Sequence, residues 1–438
     1  MDPILRKNSQ QLVCMKEAVS VAIQASSADC FESRLSKLST TDGKNYLLSI
    51  GKAAVSMAQN ACKVMKFHAG ICVAPHSSEF IKKPVRLMTG SHPTPDRGSV
   101  LAARAALDMT TQMTVSDRFI CLISGGGSSL FACPISNLSL DIKKLINREL
   151  LQSGADIYEI NCVRQQLSCV KGGRLALSAN GAEILNFAIS DVVGDDPSII
   201  ASGPTVPCKT SQSDAIAVVQ DFKLPSRNLV LPFLENRAFA TPSKDSPVFE
   251  RVKSEVLVTP RKALEAAAKS LKSAGIETTI LNTSITGDSE KAAKYMGQQV
   301  KRIISVGTDS CRPPLSLVSG GETTVAIKKS DFSGLGGPNS HFLLALMIEL
   351  SNCKGCWGIA VDSDGVDGNQ PVAGAWFCPD TMFKAKRNGL DPKTYLSRFD
   401  SHNFFSLLDQ QIILEPTNTN VNDIRIIFIE SKAFVTDR

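Results

Sequence analysis

No segment of this 438-residue sequence is apolar over the roughly 20 residues that a membrane-spanning helix needs, so a membrane protein is not expected. The first 24 residues contain Asp2 and Glu17 among amphipathic residues, which predicts an ordinary first helix rather than a signal or transit peptide. Charge is not concentrated in blocks, and the formal net charge of +6 is small for this length, so nothing indicates a nucleic-acid partner. These absences predict a cytoplasmic protein that binds neither membranes nor nucleic acids.

The common nucleotide-binding motifs are missing as well. Neither Gly43-Lys44 nor Gly51-Lys52 is followed by Ser or Thr, and no glycine precedes them at the spacing of a P-loop. The H-R-D and D-F-G motifs of protein kinases do not occur, and no G-x-G-x-x-G follows the first predicted strand. If the protein binds a nucleotide, it does so with another scaffold.

The 13 cysteines show no disulfide framework, which a chain of this length does not need. We therefore expect reduced thiols, in agreement with a cytoplasmic location. Cys353 and Cys356 form the only C-x-x-C pair, but they follow a predicted helix and precede a strand, the wrong order for a thioredoxin-type motif. No second pair completes a zinc site, so we interpret both as structural.

What the sequence does contain is a regular alternation of strand and helix patterns. This alternation predicts an α/β fold with two Rossmann-like domains, largely parallel sheets and an active site in the interdomain cleft. The length also exceeds what one hydrophobic core usually supports. Residues 203–250 contain six prolines and are predicted to be the crossover, so we place the domains at 1–225 and 226–438.

A glycine-rich turn follows the apolar run 118–123. Its glycines allow backbone N–H groups to approach an anion, and the serines after them add donors where a helix would begin. A tight turn that binds nothing is the alternative, but residues 315–325 repeat the apolar run, the Ser-Gly-Gly and the paired hydroxyls. The predicted anion-binding residues of the two segments are Ser124, Gly125, Gly126, Gly127, Ser128 and Ser129, and Ser319, Gly320, Gly321, Glu322 and Thr323.

Three charged residues follow predicted strands, where ligands gather in α/β sheets. Lys52 opposes the dipole of the next helix and so calls for an anion; a solvent-facing lysine is the alternative. Asp191 and Asp364 lie on turns where carboxylates could hold magnesium together with substrate phosphates. An Asx turn or a polar Asp-Gly turn explains them as well, and we prefer that interpretation for Asp195 and Asp196.

Two cations could grip a carboxylate or phosphate on the predicted helix 157–178. Arg164, Ser168 and Lys171 recur there at helical spacing and would share one face, although a solvated face explains the spacing equally well. His92 lies between prolines in the 91–96 loop, and a lone histidine of this kind is more often structural than catalytic.

Several motifs occur in order along nearly the whole chain, and together they resemble glycerate 2-kinase of the MOFRL type. The segments are Gly51-Lys-Ala-Ala54, Gly90-Ser-His-Pro-Thr-Pro-Asp96, Ile123-Ser-Gly-Gly-Gly-Ser-Ser-Leu130, the Asn161–Ala176 motif, Ser190-Asp-Val-Val-Gly-Asp-Asp-Pro197, Ala201-Ser-Gly-Pro-Thr205, Ser319-Gly-Gly-Glu-Thr-Thr324, Asp364-Gly-Val-Asp-Gly368 and Thr419-Asn-Val-Asn-Asp423. The resemblance implies ATP- and magnesium-dependent phosphorylation of D-glycerate at its C2 hydroxyl, in serine or fructose breakdown, on two α/β domains with the active site between them. A homodimer is compatible with this interpretation.

By the same resemblance, the family's catalytic lysine falls on Lys52 and its two aspartates on Asp191 and Asp364. Lys52 would neutralise the transferring phosphoryl group, Asp191 or Asp364 would hold magnesium or orient the C2 hydroxyl, and both Ser-Gly-Gly loops would donate backbone hydrogen bonds. Arg164 would hold the glycerate carboxylate.

The chain departs from the family pattern at three places. Pro338 stands where many members have arginine, Ser363 replaces the threonine of Gly-Thr-Asp-Gly, and Glu415-Pro416-Thr417 replaces Gly-Pro-Thr. Pro338 keeps one alternative open, a catalytically silent relative that binds nucleotide or organic acid. A second alternative is a hydroxypyruvate reductase, against which the missing dinucleotide fingerprint counts.

Overall fold

The computed structural model describes residues 9–75, 81–192, 194–306, 314–325, 334–368, 370–415, 417 and 419–431. Internal contacts divide the chain into two compact units. We call residues 28–258 the parallel-sheet unit, and the described residues up to Ser27 and from Thr259 onward the mixed-sheet unit. The sequence-based boundary between residues 225 and 226 falls inside the parallel-sheet unit, because the strand 252–258 pairs with the sheet of that unit.

The strands are β1 (Asn45–Ile50), β2 (Ala69–Ala74), β3 (Val85–Thr89), β4 (Arg118–Ile123), β5 (Glu183–Ile189), β6 (Val252–Val258), β7 (Glu277–Asp288), β8 (Leu315–Thr324), β9 (Cys356–Asp362), β10 (Gly374–Phe377), β11 (Gln411–Ile412) and β12 (Asp423–Ile429). The helices are α1 (Gln10–Ala25), α2 (Asp29–Leu35), α3 (Ala54–Val64), α4 (Arg97–Thr110), α5 (Gly127–Leu130), α6 (Leu140–Gln152), α7 (Ile157–Gln166), α8 (Arg174–Leu177), α9 (Gln212–Asp221), α10 (Arg227–Leu234), α11 (Pro260–Ser273), α12 (Ser289–Val306), α13 (Pro338–Glu349), α14 (Thr381–Arg387), α15 (Pro392–Ser397) and α16 (Ser401–Leu407). Within the part of the chain that the structure describes, no helix combines the length and apolarity required to cross a bilayer.

The parallel-sheet unit contains a sheet in the order β3-β2-β1-β4-β5-β6, and every pairing in it is parallel. The central strands β1 and β4 are apolar runs buried along almost their whole length, as expected for a parallel sheet covered on both faces. The order reverses between β1 and β4, and in such a fold the crevice outside the carboxyl ends at this point is the usual ligand site. Both strands end in the glycine-containing turns that the sequence singled out.

The sheet of the mixed-sheet unit has the order β11-β10-β9-β12-β8-β7. Strands β7 and β8 pair in parallel, whereas β8–β12, β12–β9, β9–β10 and β10–β11 pair antiparallel. The α/β class with two sheets is therefore confirmed, but this second sheet is mixed rather than largely parallel. The difference arises because β12 runs opposite to β8 and β9, between which it lies, and β10 runs opposite to β9 and β11.

Helix α1 belongs to the mixed-sheet unit, far in sequence from the rest of it. Ser9 caps its start, and one face is buried through residues that include Leu12, Met15 and Val19. It packs against α11, and the Thr419 hydroxyl donates a hydrogen bond to the Ser26 carbonyl oxygen at 2.6 Å. These contacts attach the start of the described chain to a unit formed mainly by the part of the chain from Thr259 onward.

The prediction of a loose crossover at 203–250 is wrong for much of that segment. Helices α9 and α10 lie within it, and Val219 and Val230 are fully buried in a cluster shared with α6 and α7. Pro232 is accommodated inside α10, and the other prolines fall outside these two helices. Apart from Pro232, these prolines therefore lie outside α9 and α10, which are part of the parallel-sheet unit.

Candidate functional site

The turns after β1 and β4 lie side by side and are hydrogen-bonded to each other. The Lys52 amide donates to the Gly125 carbonyl oxygen at 2.9 Å, and the Ser124 amide donates to the Ile50 carbonyl oxygen at 2.9 Å. The Ser124 hydroxyl accepts a hydrogen bond from the Ala53 amide at 3.1 Å and is fully buried. Ser124 therefore joins the two turns rather than facing a ligand.

This junction leaves no room for a side chain at Gly51. Its φ is +120°, and a Cβ placed there would lie 2.2 Å from the Ser124 Oγ. We expect Gly51→Ala to lower the free energy of unfolding by at least about 2 kcal/mol more than Gly154→Ala does, because steric overlap adds to backbone strain. Gly154 is the matched control, since its φ is +84° but no atom lies within 4 Å of its added Cβ. Equal losses for the two variants in urea titrations would contradict this prediction.

Lys52 and His92 flank the second glycine of the β4 turn. A Cβ added to Gly126, which has φ +80°, would lie 3.4 Å from the Lys52 Cγ and 3.1 Å from the His92 Cδ2. His92 is exposed and follows β3. The sequence indicated a structural histidine, yet the fold places it beside the lysine and the glycine turn. The sequence signal that could have indicated this placement was the position of His92 in a loop directly after a predicted strand.

Asp191 follows β5 and faces the charge of Lys52. The side chain is partly buried, and burial raises the pKa of Asp191 above its ordinary value, while the positive charge of Lys52 lowers it part of the way back. Asp196, in contrast, accepts hydrogen bonds from the Ser198 amide at 3.0 Å and from the Lys209 ammonium at 2.6 Å. The structure thus pairs Asp191 electrostatically with Lys52 and gives Asp196 a role in local structure.

The remaining residues of the β4 turn contact the 200–203 segment. The Ser128 and Ser202 hydroxyls lie 2.9 Å apart, and the Ser202 hydroxyl donates to the Asn161 Oδ1 at 2.6 Å. Gly127 packs closely against Ala201, while the Ser129 hydroxyl donates to the carbonyl oxygen of Gly126. Ala201 and Ser202 have φ values of +50° and +60°. Left-handed backbone at non-glycine residues costs about 1–3 kcal/mol each and clusters at functional sites.

The predicted continuous helix 157–178 is wrong, because α7 ends at Gln166. Arg164 and Lys171 therefore do not share a helical face. Gly172 and Gly173 have φ values of +59° and +82°, which an α-helix cannot accommodate. The Arg164 Nε donates to the Asn147 Oδ1 at 2.7 Å, and the buried Lys171 ammonium donates to the Ala201 carbonyl oxygen at 3.2 Å. Lys171 therefore reaches the segment that contacts the β4 turn.

These two residues belong to a group of four partly or fully buried cations. Burial lowers the pKa of Lys143 to about 7, with the charge of Arg164 contributing. Burial also lowers the pKa of Arg164 and of Arg174 to about 10, and that of Lys171 well below its ordinary value. Several desolvated cations on neighbouring segments favour a bound anion, which would relieve their mutual repulsion.

The burial of Lys143 should make the free energy of unfolding depend on pH. Its pKa is about 7 in the folded protein and 10.5 in the unfolded chain, so between these values the unfolded chain binds more protons and stability rises with pH. We expect Lys143→Met to stabilise the protein by a few kcal/mol at pH 7, with the gain shrinking as pH rises to 9. Urea titrations at several pH values measure this. Lys144→Met is the control, and a gain that does not change with pH would contradict the prediction.

The second Ser-Gly-Gly segment lies within β8 and does not form a turn, so the predicted repeat of the glycine loop is wrong in structure. Gly320 and Gly321 pair with Ile424 and Asp423 of β12, and Gly321 also pairs with Ile285 of β7. A Cβ at Gly321 would lie 2.1 Å from the Ile285 carbonyl oxygen, so this glycine allows β7 to approach. Its neighbours diverge: the Ser319 hydroxyl contacts the Met296 sulfur at 3.1 Å, Glu322 is exposed and Thr323 is buried.

Three carboxylates gather at the ends of β9 and β12, and we call Asp362, Asp364 and Asp423 the acidic trio. Asp362 pairs with Asp423 across the two strands, and the Asp364 amide donates to the Asp362 Oδ1 at 3.0 Å. Burial and the charges of Asp364 and Asp423 raise the pKa of Asp362 well above its ordinary value. The sequence predicted the acidic turn that carries Asp362 and Asp364, whereas strand order brings Asp423 to it.

Asp423 has a buried counter-ion. Arg425 forms a short ion pair with Asp423, and its Nη2 also donates to the Thr323 hydroxyl at 3.0 Å. Asn339 adds an amide hydrogen bond to the Asp423 Oδ1 at 2.6 Å. Burial raises the pKa of Asp423, and the Arg425 charge opposes that rise. Thr323 and Asn339 thus connect their motifs to the acidic trio.

Pro338, where the family pattern has arginine, occupies the first turn of α13. Proline suits that position because its missing N–H has no acceptor within the helix. Asp367 satisfies the next two amides, accepting from Asn339 at 2.8 Å and from Ser340 at 2.9 Å. Burial raises the pKa of Asp367 to about 6. Pro338 and Asp367 together fix the start of α13, whose Asn339 reaches Asp423.

Comparison with known proteins gives two family matches. The family described as Domain of unknown function (DUF4147) matches residues 9–234, and the MOFRL family matches residues 315–423. The first match covers slightly more than half of the chain.

Similar proteins extend these matches over most of the chain. A relative from Agrobacterium vitis, provisionally named a hydroxypyruvate reductase, is 39% identical over 88% of this chain and 100% of its own length. The glycerate 2-kinase of Pyrococcus horikoshii is 34% identical over 89% of this chain and 88% of its own length. The crystal structure of glycerate kinase from Thermotoga maritima superposes with a TM-score of 0.85 and 32% identity, covering 96% of this chain and all of its own.

Proposed function

The chain belongs to the DUF4147 and MOFRL family, and on that premise we propose that it is a glycerate kinase that transfers a phosphoryl group from ATP to the C2 hydroxyl of D-glycerate. The observation that carries the proposal is the pairing of Lys52 with Asp191 beside the Gly126 turn. A cation for the phosphoryl group and a carboxylate for the hydroxyl proton are the two groups that this transfer needs most.

The chemistry of the parallel-sheet unit suits an anionic substrate. Lys52 neutralises charge on the transferring phosphoryl group, and Asp191 orients the C2 hydroxyl and accepts its proton. A carboxylate whose pKa is raised by burial is a stronger base than an exposed one, which favours Asp191 for this role. Arg164, Lys171 and the Ser128 hydroxyl would hold the glycerate carboxylate or the phosphate, which the desolvation of Lys171 and the position of Ser128 in the β4 turn support.

Magnesium is the cofactor that the acidic trio suits best. Within the described residues no group of three or more His, Cys, Asp or Glu side chains forms a complete metal site. Magnesium does not need one, because it commonly binds one or two carboxylates and completes its shell with water and substrate phosphates. The mutual repulsion within the trio fits such a cation. Asp364 and Asp362 would hold it, and the bound ion would neutralise charge on the ATP phosphates.

Asp364→Asn removes one of these charges without changing the side-chain shape. We expect the magnesium concentration for half-maximal turnover to rise about tenfold or more, with little change in the KM for glycerate. Asp380→Asn is the matched control, since Asp380 lies at the N-terminal end of α14 and outside the trio. A variant with unaltered magnesium dependence would assign the metal to other residues.

The test of the function is ADP release from purified protein with D-glycerate, ATP and magnesium, with the product passed to enolase in the absence of phosphoglycerate mutase. Turnover by enolase identifies 2-phosphoglycerate and therefore phosphorylation at C2. ADP release without enolase turnover would indicate that the phosphoryl group goes to another position of glycerate or to another acceptor. Absence of ADP would contradict the kinase and support a catalytically silent relative.

The provisional name of the Agrobacterium vitis relative favours a second candidate, reduction of hydroxypyruvate by a nicotinamide cofactor. The missing G-x-G-x-x-G after β1 counts against it, because this fingerprint places the dinucleotide pyrophosphate at the same turn. Instead Lys52 stands at that turn. Constant NADH and NADPH absorbance in the presence of hydroxypyruvate would exclude this reaction.

A further inference from the structure

Two cysteines of the parallel-sheet unit lie opposite each other where two loops pair. An isolated antiparallel bridge joins Pro134 to Ser168, and the Cys169 amide donates to the Cys133 carbonyl oxygen at 2.9 Å. Facing residues in such a hydrogen-bonded pair have Cα atoms about 5.5 Å apart, which lies within the range that disulfides span. The backbone therefore holds Cys133 and Cys169 at a suitable spacing.

The two side chains also converge. Both sulfur atoms lie near the Pro134 carbonyl oxygen, at 3.7 Å for Cys133 and 3.1 Å for Cys169, so they approach the same point and each shifts the pKa of the other. Both cysteines are reduced in this structure. A covalent bond between them requires little movement of the main chain.

Positive charge surrounds the pair and favours loss of its first proton. The hydrogen bond from Cys169, with Arg104 and Lys143 nearby, lowers the pKa of Cys133 to about 6, whereas the pKa of Cys169 is raised. The thiolate is the reactive form of cysteine, and cationic surroundings are typical of reactive thiols. Burial raises the pKa of Cys14, with the charge of Glu17 adding to the rise, and it raises the pKa of Cys62 although the charge of Lys82 opposes this.

Small oxidants can reach the pair from one side. Cys133 is buried, but Cys169 is partly exposed and lines a cavity of about 470 Å³ together with Arg174 and Phe239. A peroxide, which is little larger than water, fits this space. The cavity therefore reaches the Cys169 side chain, and the buried Cys133 sulfur lies next to it.

We propose that Cys133 and Cys169 are a redox-active dithiol that a peroxide converts to an intramolecular disulfide. The Cys133 thiolate attacks one peroxide oxygen, the O–O bond breaks and hydroxide leaves, which gives a sulfenic acid on Cys133. The Cys169 sulfur then attacks the Cys133 sulfur, the S–O bond breaks, and the leaving hydroxide takes the remaining proton as water. With hydrogen peroxide, two thiols and one oxidant give one disulfide and two waters. This site does not depend on the proposed kinase activity.

The disulfide would form inside the segment that carries the anion-binding cations. Cys169 lies between Arg164 and Lys171 in the chain, and Cys133 supplies negative charge beside Lys143. Oxidation removes that charge and links the 167–171 segment covalently to the loop after α5. The modification is thus placed to alter the anion site without touching Lys52 or Asp191.

The test uses full-length protein treated with hydrogen peroxide at pH 7, then alkylated and digested with trypsin without reduction. We expect a disulfide-linked pair of peptides, 119–143 with 165–171, that dithiothreitol separates. It should form at least about ten times faster than Cys14 is oxidised, because the pKa of Cys133 is lowered whereas that of Cys14 is raised.

Matched variants assign the bond. Cys133→Ser and Cys169→Ser should each abolish the linked peptides, which also excludes Cys121 in the first peptide. The double variant Cys353→Ser/Cys356→Ser, which removes the C-x-x-C pair, should leave them unchanged. Linked peptides that persist in Cys133→Ser, or a Cys169 that oxidises no faster than Cys14 and without a link, would overturn the proposal.

Discussion

Replacing Lys52 by alanine is expected to lower kcat for ATP-dependent glycerate phosphorylation by about 10²–10³-fold, as does removing a group that stabilises transition-state charge. The lysine follows β1 at the point where strand order reverses, and its side chain packs against the Gly126 turn. Its charge acts on Asp191, so the variant also removes the positive charge that lowers the pKa of that carboxyl. Steady-state kinetics of ADP release measures the loss.

Two readouts separate this loss from unfolding or a general charge effect. Lys63→Ala is the control, because Lys63 lies in the last turn of α3, where it donates to Asn60 and pairs with Glu32 at the surface, an ion pair worth about 0–1 kcal/mol. Its turnover should remain within about twofold of the wild type. In Lys52→Ala the acidic limb of the residual activity should shift to higher pH, since the charge that lowers the pKa of Asp191 is gone. Turnover by Lys52→Ala close to that of the wild type would remove Lys52 from the mechanism.

The second large effect is expected for Asp191→Asn, which should lower kcat by about 10²–10⁴-fold, the usual contribution of a general base. The amide keeps the size of the carboxylate but cannot accept the proton of the C2 hydroxyl. Because burial raises the pKa of Asp191, wild-type activity should fall as pH decreases through that raised value. This acidic limb should be absent from the profile of the variant.

The free energy of unfolding of Asp191→Asn should stay equal or rise although its kcat falls. The folded protein holds the Asp191 proton to a higher pH than the unfolded chain does, so ionising this group at neutral pH costs stability. Asp191→Asn is therefore expected to unfold at an equal or higher urea concentration while being inactive. Asp196→Asn is the control, since its side chain caps Ser198 and pairs with Lys209, and its turnover should change little. An Asp191→Asn protein that is inactive only because it is unfolded would refute the assignment.

The sequence predicts the parallel sheet well because its information is local. The predominantly apolar segments 45–51, 118–123 and 183–190 predict strands, and the observed limits of β1, β4 and β5 differ from these by about one residue. The rule that ligands gather at carboxyl ends of strands then brings Lys52 and the β4 turn together. In this unit, chain order and spatial order are closely related.

The same reasoning fails where non-local contacts decide. Two glycines after an apolar run look the same whether they end a strand, as at Gly125 and Gly126, or admit a neighbouring strand, as at Gly320 and Gly321. Only the close approach of β7 distinguishes them. Asp423 joins Asp362 because β12 inserts beside β9, and no local pattern encodes that order. His92 was missed for a related reason, since its neighbours come from β1 and β4.

The packing of the early helix α1 against the much later helix α11 has a consequence for synthesis on the ribosome. The parallel-sheet unit is encoded without interruption and can fold as soon as residue 258 has emerged. Helix α1 is made first, yet its packing partner α11 begins only at Pro260. At about 5–20 residues per second, the apolar face of α1 stays uncovered for roughly 10–50 s, longer than most domains need to fold. During that interval Leu12, Met15 and Val19 form an exposed apolar stripe to which a chaperone can bind, so nascent-chain capture should be strongest before α11 appears.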